Sequence, residues 1–221
     1  MMISEKELNK RLFMPRKNIQ EKRRRQILEA LHKRLLIKPF DTTSIKEIAD
    51  EAGLNHGMLH YYFKSKEEIL LAYIDYSIDI YRTLFVDWLK MNSEKFADKE
   101  EFLLATLNFM TEKITLNRDL SRIFIEIWEI GNYNKKVKDK LREAYREWIS
   151  TVAVFIMDQI GGPQMARSLS IAIVAISEGL SLLSVIFDDD DIHFGNLIEI
   201  FRNLFVSTRF FQPDRPIKSN P

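Results

Sequence analysis

The side chains best suited to binding chemistry are concentrated between Thr42 and Lys66, where hydroxyl, amide, imidazole, phenol and amino groups follow one another closely. Hydroxyl and amino groups bind phosphate oxygens, whereas amides, imidazoles and phenols can form hydrogen bonds with the edges of bases. The segment therefore predicts contact with a nucleic acid. The residues predicted to lie at phosphates are Thr42, Thr43, Ser44, Lys64 and Lys66. Those predicted to lie at or beside the bases are Asn55, His56, Gly57, Met58, His60, Tyr61 and Tyr62.

Two short helices are predicted to position these side chains. Ser44 precedes Glu47 by three residues, the spacing of a capping box, and predicts a helix of about two turns that ends at Gly53. Asn55 is predicted to cap a second short helix, which starts at His56. Two short helices joined by a tight turn match the helix-turn-helix motif, whose second helix lies in the major groove of DNA.

The same segment also supplies side chains for a hydrophobic core. Leu59 and Phe63 are predicted to pack inside the domain, while Tyr62 suits either the core or the DNA surface. Ser65 and Glu68 repeat the capping-box spacing and are predicted to open the next helix. The helices of the motif and the helix that follows it are therefore all predicted to start at capped residues.

The stretch from about Arg24 to Ala72 resembles the DNA-binding domain of TetR-family transcriptional repressors. It has Thr before a capped helix, Ile-Ala and Ala-Gly pairs, Gly-x-Leu in the second helix, then Tyr-Phe and a Ser-Lys-Glu helix start. It departs from the family at Asn55, where Ser or Thr is usual, and at Met58, where a small or hydroxylated residue is common. The resemblance implies a homodimer that binds a palindromic operator in double-stranded DNA and is released from it by a small-molecule inducer.

The charge distribution agrees with a confined DNA-binding surface. Residues 1–66 hold 15 Lys and Arg against 8 Asp and Glu, a net charge of +7, within a chain of 33 basic and 32 acidic residues. Residues 67–221 therefore hold 18 basic and 24 acidic residues, a net charge of −6. The basic run from Lys22 to Arg25 belongs either to the DNA-binding surface or to a solvated helix face, because Ile27 and Leu31 take the opposite, buried face.

The remaining composition favours a regulator over an enzyme. The four histidines are dispersed, and no HExxH, Gly-rich phosphate loop or Gly-x-Ser-x-Gly motif is present, so neither catalytic residues nor a cofactor are predicted. His56 and His60 have a spacing that could hold a metal, but their place on the reading helix favours DNA contact, and no metal site is predicted. The absence of cysteine and of an apolar N-terminal signal core is compatible with a cytoplasmic protein.

The predicted fold is all-α, with about nine helices in an N-terminal three-helix helix-turn-helix domain and a larger helical ligand-binding and dimerisation domain. The predicted limits are residues 1–16 for an N-terminal tail, 17–65 for the DNA-binding domain with its motif at about 44–63, 66–211 for the larger domain and 212–221 for a C-terminal tail. Helices of the larger domain are predicted at about 66–90, 99–116, 119–130, 135–160, 164–187 and 192–211.

The last two predicted helices carry apolar side chains over unusually wide surfaces, which predicts a symmetric four-helix dimer interface. The residues predicted to form it are Leu169, Ile173, Ile176, Leu180, Leu183, Leu197, Phe201, Leu204 and Phe205. Residues 164–187 are also long and apolar enough for a membrane span, but Glu178 and five serines in that helix argue against membrane insertion.

Aromatic residues of the larger domain are predicted to line a ligand pocket for an apolar or cationic molecule, although core filling is the alternative for each one. The predicted lining is Trp88, Phe102, Phe109, Phe124, Glu126, Trp128, Tyr133, Tyr145 and Trp148, with Glu129 as another possible polar partner. The stretch from Trp128 to Leu180 resembles the C-terminal domain of the branch that contains the choline-pathway repressor. A ligand-independent regulator or activator, and a protein-interaction module, are the alternative functions.

Overall fold

The structure, a computed structural model, describes residues 16–92, 94–96, 99–157, 162–188, 190–197 and 199–200. These residues form eight α-helices, one π-helix and no β-strand, which confirms the all-α prediction. The elements are α1 (Arg16–Leu35), α2 (Ile45–Glu51), α3 (His56–Tyr62), α4 (Lys66–Asn92), α5 (Lys99–Met110), the π-helix (Thr111–Thr115), α6 (Arg118–Tyr133), α7 (Lys135–Met157) and α8 (Pro163–Ile186). A further helical segment covers residues 194–197 and 199–200.

The chain divides into two compact units, and the division falls inside α4, between Ile78 and Asp79. The first turns of α4 belong to the first unit because Ile69, Tyr73 and Ile74 are fully buried. The sequence placed the domain boundary at residues 65 and 66, and those limits stay a prediction. Apart from Arg16, which begins α1, the predicted tails lie outside the described residues, as does the second half of the predicted last helix.

The first unit has a core contributed by all four of its helices. Buried apolar residues recur at helical spacing on α1, so that one stripe of that helix faces inward. The prediction that Leu59 and Phe63 are core residues is confirmed, because neither is exposed. The largest fully buried side chains of this unit are Ile27, Leu31, Ile48, Leu59, Phe63, Ile69, Leu70, Tyr73 and Ile74.

The ends of the two short helices are fixed by local hydrogen bonds, as predicted. The Ser44 hydroxyl accepts the Glu47 amide at 3.2 Å, and the Glu47 carboxylate accepts the Ser44 amide at 2.8 Å. Gly53 has a φ of 63°, the left-handed conformation expected after α2. The side chain of Asn55 accepts the Met58 amide at 2.8 Å and so caps α3. Sequence alone therefore determines the start of both helices.

The predicted capping box at the start of α4 forms only in part. The Glu68 amide donates to the Ser65 hydroxyl at 3.1 Å, as a box requires. The Glu68 carboxylate, however, accepts the amide of Lys64 at 2.7 Å instead of the amide of Ser65. The return bond is thus displaced by one residue towards α3, so the same carboxylate ties the loop to the new helix.

The second unit is built on α6, α7 and α8, which pack against one another. The helix predicted over about 119–130 continues to Tyr133 as α6, and Gly131 is buried within it. A Cβ at this position would lie 2.9 Å from Leu141 Cδ1, so the missing side chain allows α7 to approach closely. The predicted helix over 99–116 is likewise interrupted, because its last turn is a π-helix from Thr111 to Thr115.

Candidate nucleic-acid interface and aromatic clusters

The exposed face of α3 carries most of the side chains that were predicted to reach bases. His56, Gly57 and Met58 are exposed in its first turn, and Tyr61 is 64% exposed one turn later. Leu59 lies between them in sequence and is fully buried, so it fixes which face of α3 points outward. A helix held in this way presents a defined row of side chains to a groove.

His56 and His60 lie one turn apart on α3, and their ring centroids are 4.5 Å apart in an edge-to-face arrangement. The rings therefore pack against each other. Within the described part of the chain, no group of three His, Cys, Asp or Glu side chains could hold a metal ion. The pair is better placed to donate or accept hydrogen bonds at a surface than to coordinate a metal.

Tyr61 and Tyr62 have different environments although they are adjacent. The Tyr61 hydroxyl accepts a hydrogen bond from Gln20 Nε2 at 3.2 Å, and the ring is otherwise exposed. Tyr62 is half-buried, and its ring lies perpendicular to that of Tyr61 with 5.0 Å between the centroids. The Tyr61 ring is thus accessible to a ligand at the surface of α3, whereas the Tyr62 ring packs against one side of it.

Arg24 holds the end of α3 against α1, a role that the sequence did not reveal. Its guanidinium donates to the carbonyl of Tyr62 at 2.5 Å and lies 3.9 Å from the centroid of the Phe63 ring. Its neighbours in the basic run bond along α1, since Arg25 pairs with Glu29 at 3.1 Å. The run was interpreted as DNA-binding surface or solvated helix face, but Arg24 is instead a packing residue of the motif.

Of the three hydroxyl residues before α2, Thr43 does not present its side chain to a ligand. Its side chain is 1% exposed, and its amide and hydroxyl both donate to the Pro39 carbonyl, at 3.1 and 3.0 Å. The prediction that Thr43 contacts phosphate is therefore wrong for its side chain, because the loop uses it internally. Thr42 and Ser44 remain exposed, although the Ser44 hydroxyl belongs to the capping box.

The two lysines around the start of α4, Lys64 and Lys66, contact backbone carbonyls. The ammonium of Lys64, an exposed residue, donates to the carbonyl of His60 at 3.2 Å. Lys66 Nζ donates to the Asp41 carbonyl at 3.2 Å and lies 4.1 Å from the centroid of the Phe40 ring. Both ammonium groups are consequently held close to the motif rather than extended away from it.

Glu47 is the electrostatic centre that joins α2 to α1 and the following loop. Its carboxylate lies 2.6 Å from Lys38 Nζ and 3.2 Å from Arg34 Nη2, in addition to its bonds with Ser44. The hydrogen bond from Lys38, followed by those from Ser44, lowers the pKa of Glu47 to about 2. The carboxylate therefore remains charged at every pH at which the protein would normally function.

The predicted pocket residues fall into two separate groups in the second unit. The first is a stack around Trp88, whose ring centroid lies 4.8 Å from that of Phe109 and 6.2 Å from that of Phe102. Phe102 in turn contacts Phe155, at 5.9 Å between centroids. Phe85 and Phe96 extend this stack.

The second group brings together side chains from α6, α7 and α8. The Trp128 indole donates to the Tyr145 hydroxyl at 2.8 Å, and that hydroxyl is hydrogen-bonded to Glu178. Trp148 lies one turn from Tyr145, with 6.1 Å between ring centroids. Burial is the main cause that raises the pKa of Glu178, and it likewise raises the pKa of Tyr145 well above its usual value.

The structure removes one residue from the predicted pocket lining. Tyr133 is 91% exposed because it lies at the end of α6, where the chain turns into α7. Phe124 and Glu126 are half-buried, whereas Glu129 is exposed. The carboxylate that meets the aromatic rings is Glu178, which the sequence could not assign to the pocket.

One face of α8 is apolar and exposed over most of the helix. Ile171, Ile176, Leu182 and Ile186 are all exposed, and the small residues Ala172, Ala175 and Gly179 lie between them. Ile173 was predicted to be part of a dimer interface, but it is only 7% exposed and packs with Ile156 and Ala166 in the core of its own unit.

The other predicted interface residues have varied positions. Leu169, Leu180 and Leu183 are half-buried, and Leu169 packs against the same core as Ile173. Leu197 is exposed in the last described segment. Phe201, Leu204 and Phe205 lie outside the described residues. By length and composition α8 could also cross a membrane, but one such helix is weak evidence, and Glu178 within it is hydrogen-bonded to Tyr145.

Comparison with known proteins identifies the first unit. A sequence model of the bacterial regulatory proteins of the tetR family matches residues 27–73. The HTH-type transcriptional regulator PksA of Bacillus subtilis (strain 168) is 42% identical over 57 residues, which are 26% of this chain and 28% of PksA. An uncharacterized HTH-type transcriptional regulator in the lacX 3' region of Lactococcus lactis subsp. lactis is 32% identical over 99 residues, 45% of this chain and 47% of that protein. Residues 27–73 therefore match the tetR family of bacterial regulatory proteins.

The chain matches less than half of the length of either curated regulator. Its fold is also similar to that of a transcriptional regulator from Saccharomonospora viridis solved in complex with choline, with a TM-score of 0.65 and 23% identity over 87% of this chain and 99% of that one. At this identity the likeness shows the TetR-type fold alone. The resemblance stated from the sequence is confirmed at the level of the family.

Proposed function

We propose that this TetR-family regulator is a homodimer that binds a palindromic operator through α3 and represses transcription until a small molecule binds the second unit. The observation that carries DNA binding is the surface of α3. His56, Met58 and Tyr61 are exposed on a helix whose start is capped by Asn55 and whose end is held by Arg24. A short helix fixed at both ends offers a preformed row of side chains for the major groove.

The surroundings of α3 favour binding to DNA rather than to a protein. The sequence up to residue 66 has a net charge of +7, and Lys64 lies two residues after the end of α3. Contacts with phosphates set the register of a recognition helix, and each neutralised phosphate adds about −0.9 to the slope of log affinity against log salt. Steep salt dependence is therefore expected, together with sequence preference from the exposed side chains of α3.

Dimerisation would use the exposed face of α8. Isoleucine and leucine side chains alternate there with Ala172, Ala175 and Gly179, which would allow two helices to approach closely. A symmetric dimer buries the same patch on both copies and places two recognition helices on one side of the duplex. Half-sites about 34 Å apart, or a related spacing, would give the operator its two-fold symmetry.

Ligand response would arise in the second unit. Its aromatic groups provide an apolar environment, and a structural relative holds choline, which supports a small organic ligand for this chain as well. A ligand that moves the dimer from almost fully DNA-competent to almost fully released must prefer the released conformer by about 5.5 kcal/mol. The proposal places this regulator in the cytoplasm with its DNA.

The test begins with selection of duplexes from a random pool by the purified full chain. We expect a palindromic consensus that the wild-type protein binds far more tightly than random competitor. Tyr61→Ala should weaken binding by about 1–3 kcal/mol, as loss of a groove contact does. Lys113→Ala, an exposed change in the second unit, is the matched control. Unchanged affinity of Tyr61→Ala, or selection of no consensus, would contradict the proposed role of α3.

A further inference from the structure

The outer face of α3 carries a pair of imidazole rings, those of His56 and His60. The two residues lie one turn apart, and their ring centroids are 4.5 Å apart with the ring planes at 78°, so the edge of one ring meets the face of the other. His56 is exposed in the first turn of α3, and His60 is half-buried in the last turn. Both rings therefore lie where the proposed DNA ligand would contact the helix.

The charged groups that contact α3 from neighbouring elements are cationic. The guanidinium of Arg24, on α1, donates to the carbonyl of Tyr62 at 2.5 Å, and Lys64 Nζ, in the loop after α3, donates to the carbonyl of His60 at 3.2 Å. In the part of the chain that the structure describes, neither imidazole forms an ion pair with a carboxylate. The folded chain by itself therefore offers no negative partner to a proton on either ring.

The carboxylates of the elements beside α3 are held by other cations. Glu47 and Glu51 of α2 pair with basic side chains of α1 and of the loop after it, and Glu68 of α4 pairs with a basic side chain of α1. Lys46 and Asp50, the other charged residues of α2, are exposed. A negative charge that compensates an imidazolium on α3 would therefore come from a ligand, and the ligand proposed for this helix is a polyanion.

The two rings differ in how well they accommodate a positive charge. His56 is the first residue of α3, where the helix dipole is positive, whereas His60 lies in the last turn, where the dipole is negative and favours a cation. Two imidazolium rings in contact would repel each other, but the edge of one imidazolium is attracted by the face of a neutral aromatic ring. The geometry of the pair is thus suited to one proton, held on His60.

We propose that the pair takes up one proton from solvent when α3 binds DNA, with His60 as the imidazolium at a backbone phosphate and His56 as the neutral ring at a base edge. Both nitrogens of an imidazolium donate hydrogen bonds, as a phosphate requires, whereas a neutral imidazole offers one donor and one acceptor, as a base edge requires. Imidazole is the side chain whose charge changes between pH 5 and 8, so operator affinity would rise as the pH falls through that range. This inference rests on the proposed DNA binding through α3 and specifies its dependence on pH.

The first experiment measures proton uptake by the full chain as it binds a duplex obtained by selection. Calorimetric titration in two buffers of different ionisation enthalpy should show net uptake that does not exceed about one proton per chain, and operator affinity at constant ionic strength should be about tenfold higher at pH 6 than at pH 8. Affinity that changes by less than about twofold over this range, or uptake of about two protons per chain, would overturn the proposal.

The dependence on salt tests whether the proton lies at a phosphate. An imidazolium that neutralises one more phosphate should make the slope of log affinity against log salt steeper by about 0.9 per chain at pH 6 than at pH 8. Equal slopes at the two pH values would place the proton away from the DNA backbone and refute the role of His60.

Substitutions then locate the proton. His60→Gln keeps a hydrogen-bonding side chain that cannot be protonated, so its operator affinity should vary by less than about twofold between pH 6 and 8. His56→Gln should lower affinity at both pH values but keep their ratio, and His193→Gln, a change at an exposed histidine of the second unit, is the matched control and should behave as the wild-type chain. Wild-type pH dependence in His60→Gln, or its loss in His56→Gln or His193→Gln, would contradict the assignment.

The two proposals can fail separately. A chain that selects no duplex at any pH between 6 and 8 would refute DNA binding and this inference with it. A chain that selects a palindromic duplex but binds it with an affinity independent of pH would refute the inference alone. If His60→Gln does not give the wild-type circular dichroism spectrum, the proton uptake and the salt slopes of the wild-type chain still decide whether a proton is bound at a phosphate.

Discussion

Substitutions of Asn55 can distinguish its contribution to the stability of α3 from a contribution to DNA recognition. The Asn55 side chain accepts the Met58 amide at 2.8 Å, which satisfies one of the four N–H groups left open at the start of a seven-residue helix. Loss of such a cap typically costs about 1 kcal/mol, within a range of roughly 0.5–2. Asn55→Ala should therefore lower the free energy of unfolding of the first unit by about 1 kcal/mol, or Tm by about 4–8 °C.

A second substitution makes this prediction specific. Asn55→Ser supplies another good cap, so it should retain stability to within about 0.5 kcal/mol. If capping is the main function of Asn55, the serine variant should also keep the operator preference of the wild-type chain. If the amide also reads a base, as the sequence suggested, this variant should be stable but less selective.

The assay is urea unfolding followed by circular dichroism, with hydrogen exchange of the Met58 amide as the local readout. Lys46→Ala, an exposed change on α2, is the control and should alter stability by less than about 0.5 kcal/mol. Unchanged protection of Met58 in Asn55→Ala, or an equal loss in Asn55→Ser, would refute the capping argument.

Three further variants test other parts of the structure. Gly57→Ala should raise the free energy of unfolding by about 0.5–1 kcal/mol, since a Cβ there meets nothing closer than 3.5 Å. If α3 lies close to DNA, the same change should lower operator affinity in a filter-binding assay. The pKa of the Glu47 carboxyl is lowered from 4.5 to about 2, so the stabilisation by its hydrogen bonds and ion pairs is fully present above pH 4.5 and is lost as the pH falls towards 2. In Glu47→Gln the free energy of unfolding should therefore depend less on pH in that window. An unchanged dependence on pH would contradict this role of Glu47. Replacing both Ile176 and Leu182 by Glu should give monomers in sedimentation analysis, whereas Val154→Glu, a change at a more exposed apolar residue on α7, should not.

The parts of the fold that could be predicted from sequence are those decided by neighbours along the chain. Ser44, Gly53 and Asn55 act within a few residues of themselves, so their chemistry predicts the helix ends directly. Periodic apolar spacing likewise predicts Leu59 and Phe63 as core residues, because one face of a helix must be buried for the domain to fold.

Features that depend on distant residues were missed or misassigned. Arg24 looked like one member of a basic run, but its role depends on the carbonyl of Tyr62, which is 38 positions away. Ile173 has the apolar character of an interface residue, and only the packing of α7 and α8 shows that it is buried within its own unit. The helix predicted to end near residue 130 continues through Gly131, whose missing side chain leaves room for Leu141 of α7.

The aromatic residues show the same limit for the ligand site. Their types suggested a pocket, yet spacing along the chain could not separate the stack around Trp88 from the group around Tyr145. Glu178 joins the second group from a different helix, and its hydrogen bond to Tyr145 shows this only once the helices are packed. Composition thus indicated aromatic clusters, whereas tertiary structure determined which rings belong to each.

The most direct test of the central claim is analytical ultracentrifugation of the full chain with a duplex obtained by selection. We expect one dimer on each palindromic duplex, loss of the complex when one half-site is scrambled, and a weaker complex when Tyr61 is replaced by Ala. A monomer that binds this duplex no better than random DNA would contradict it.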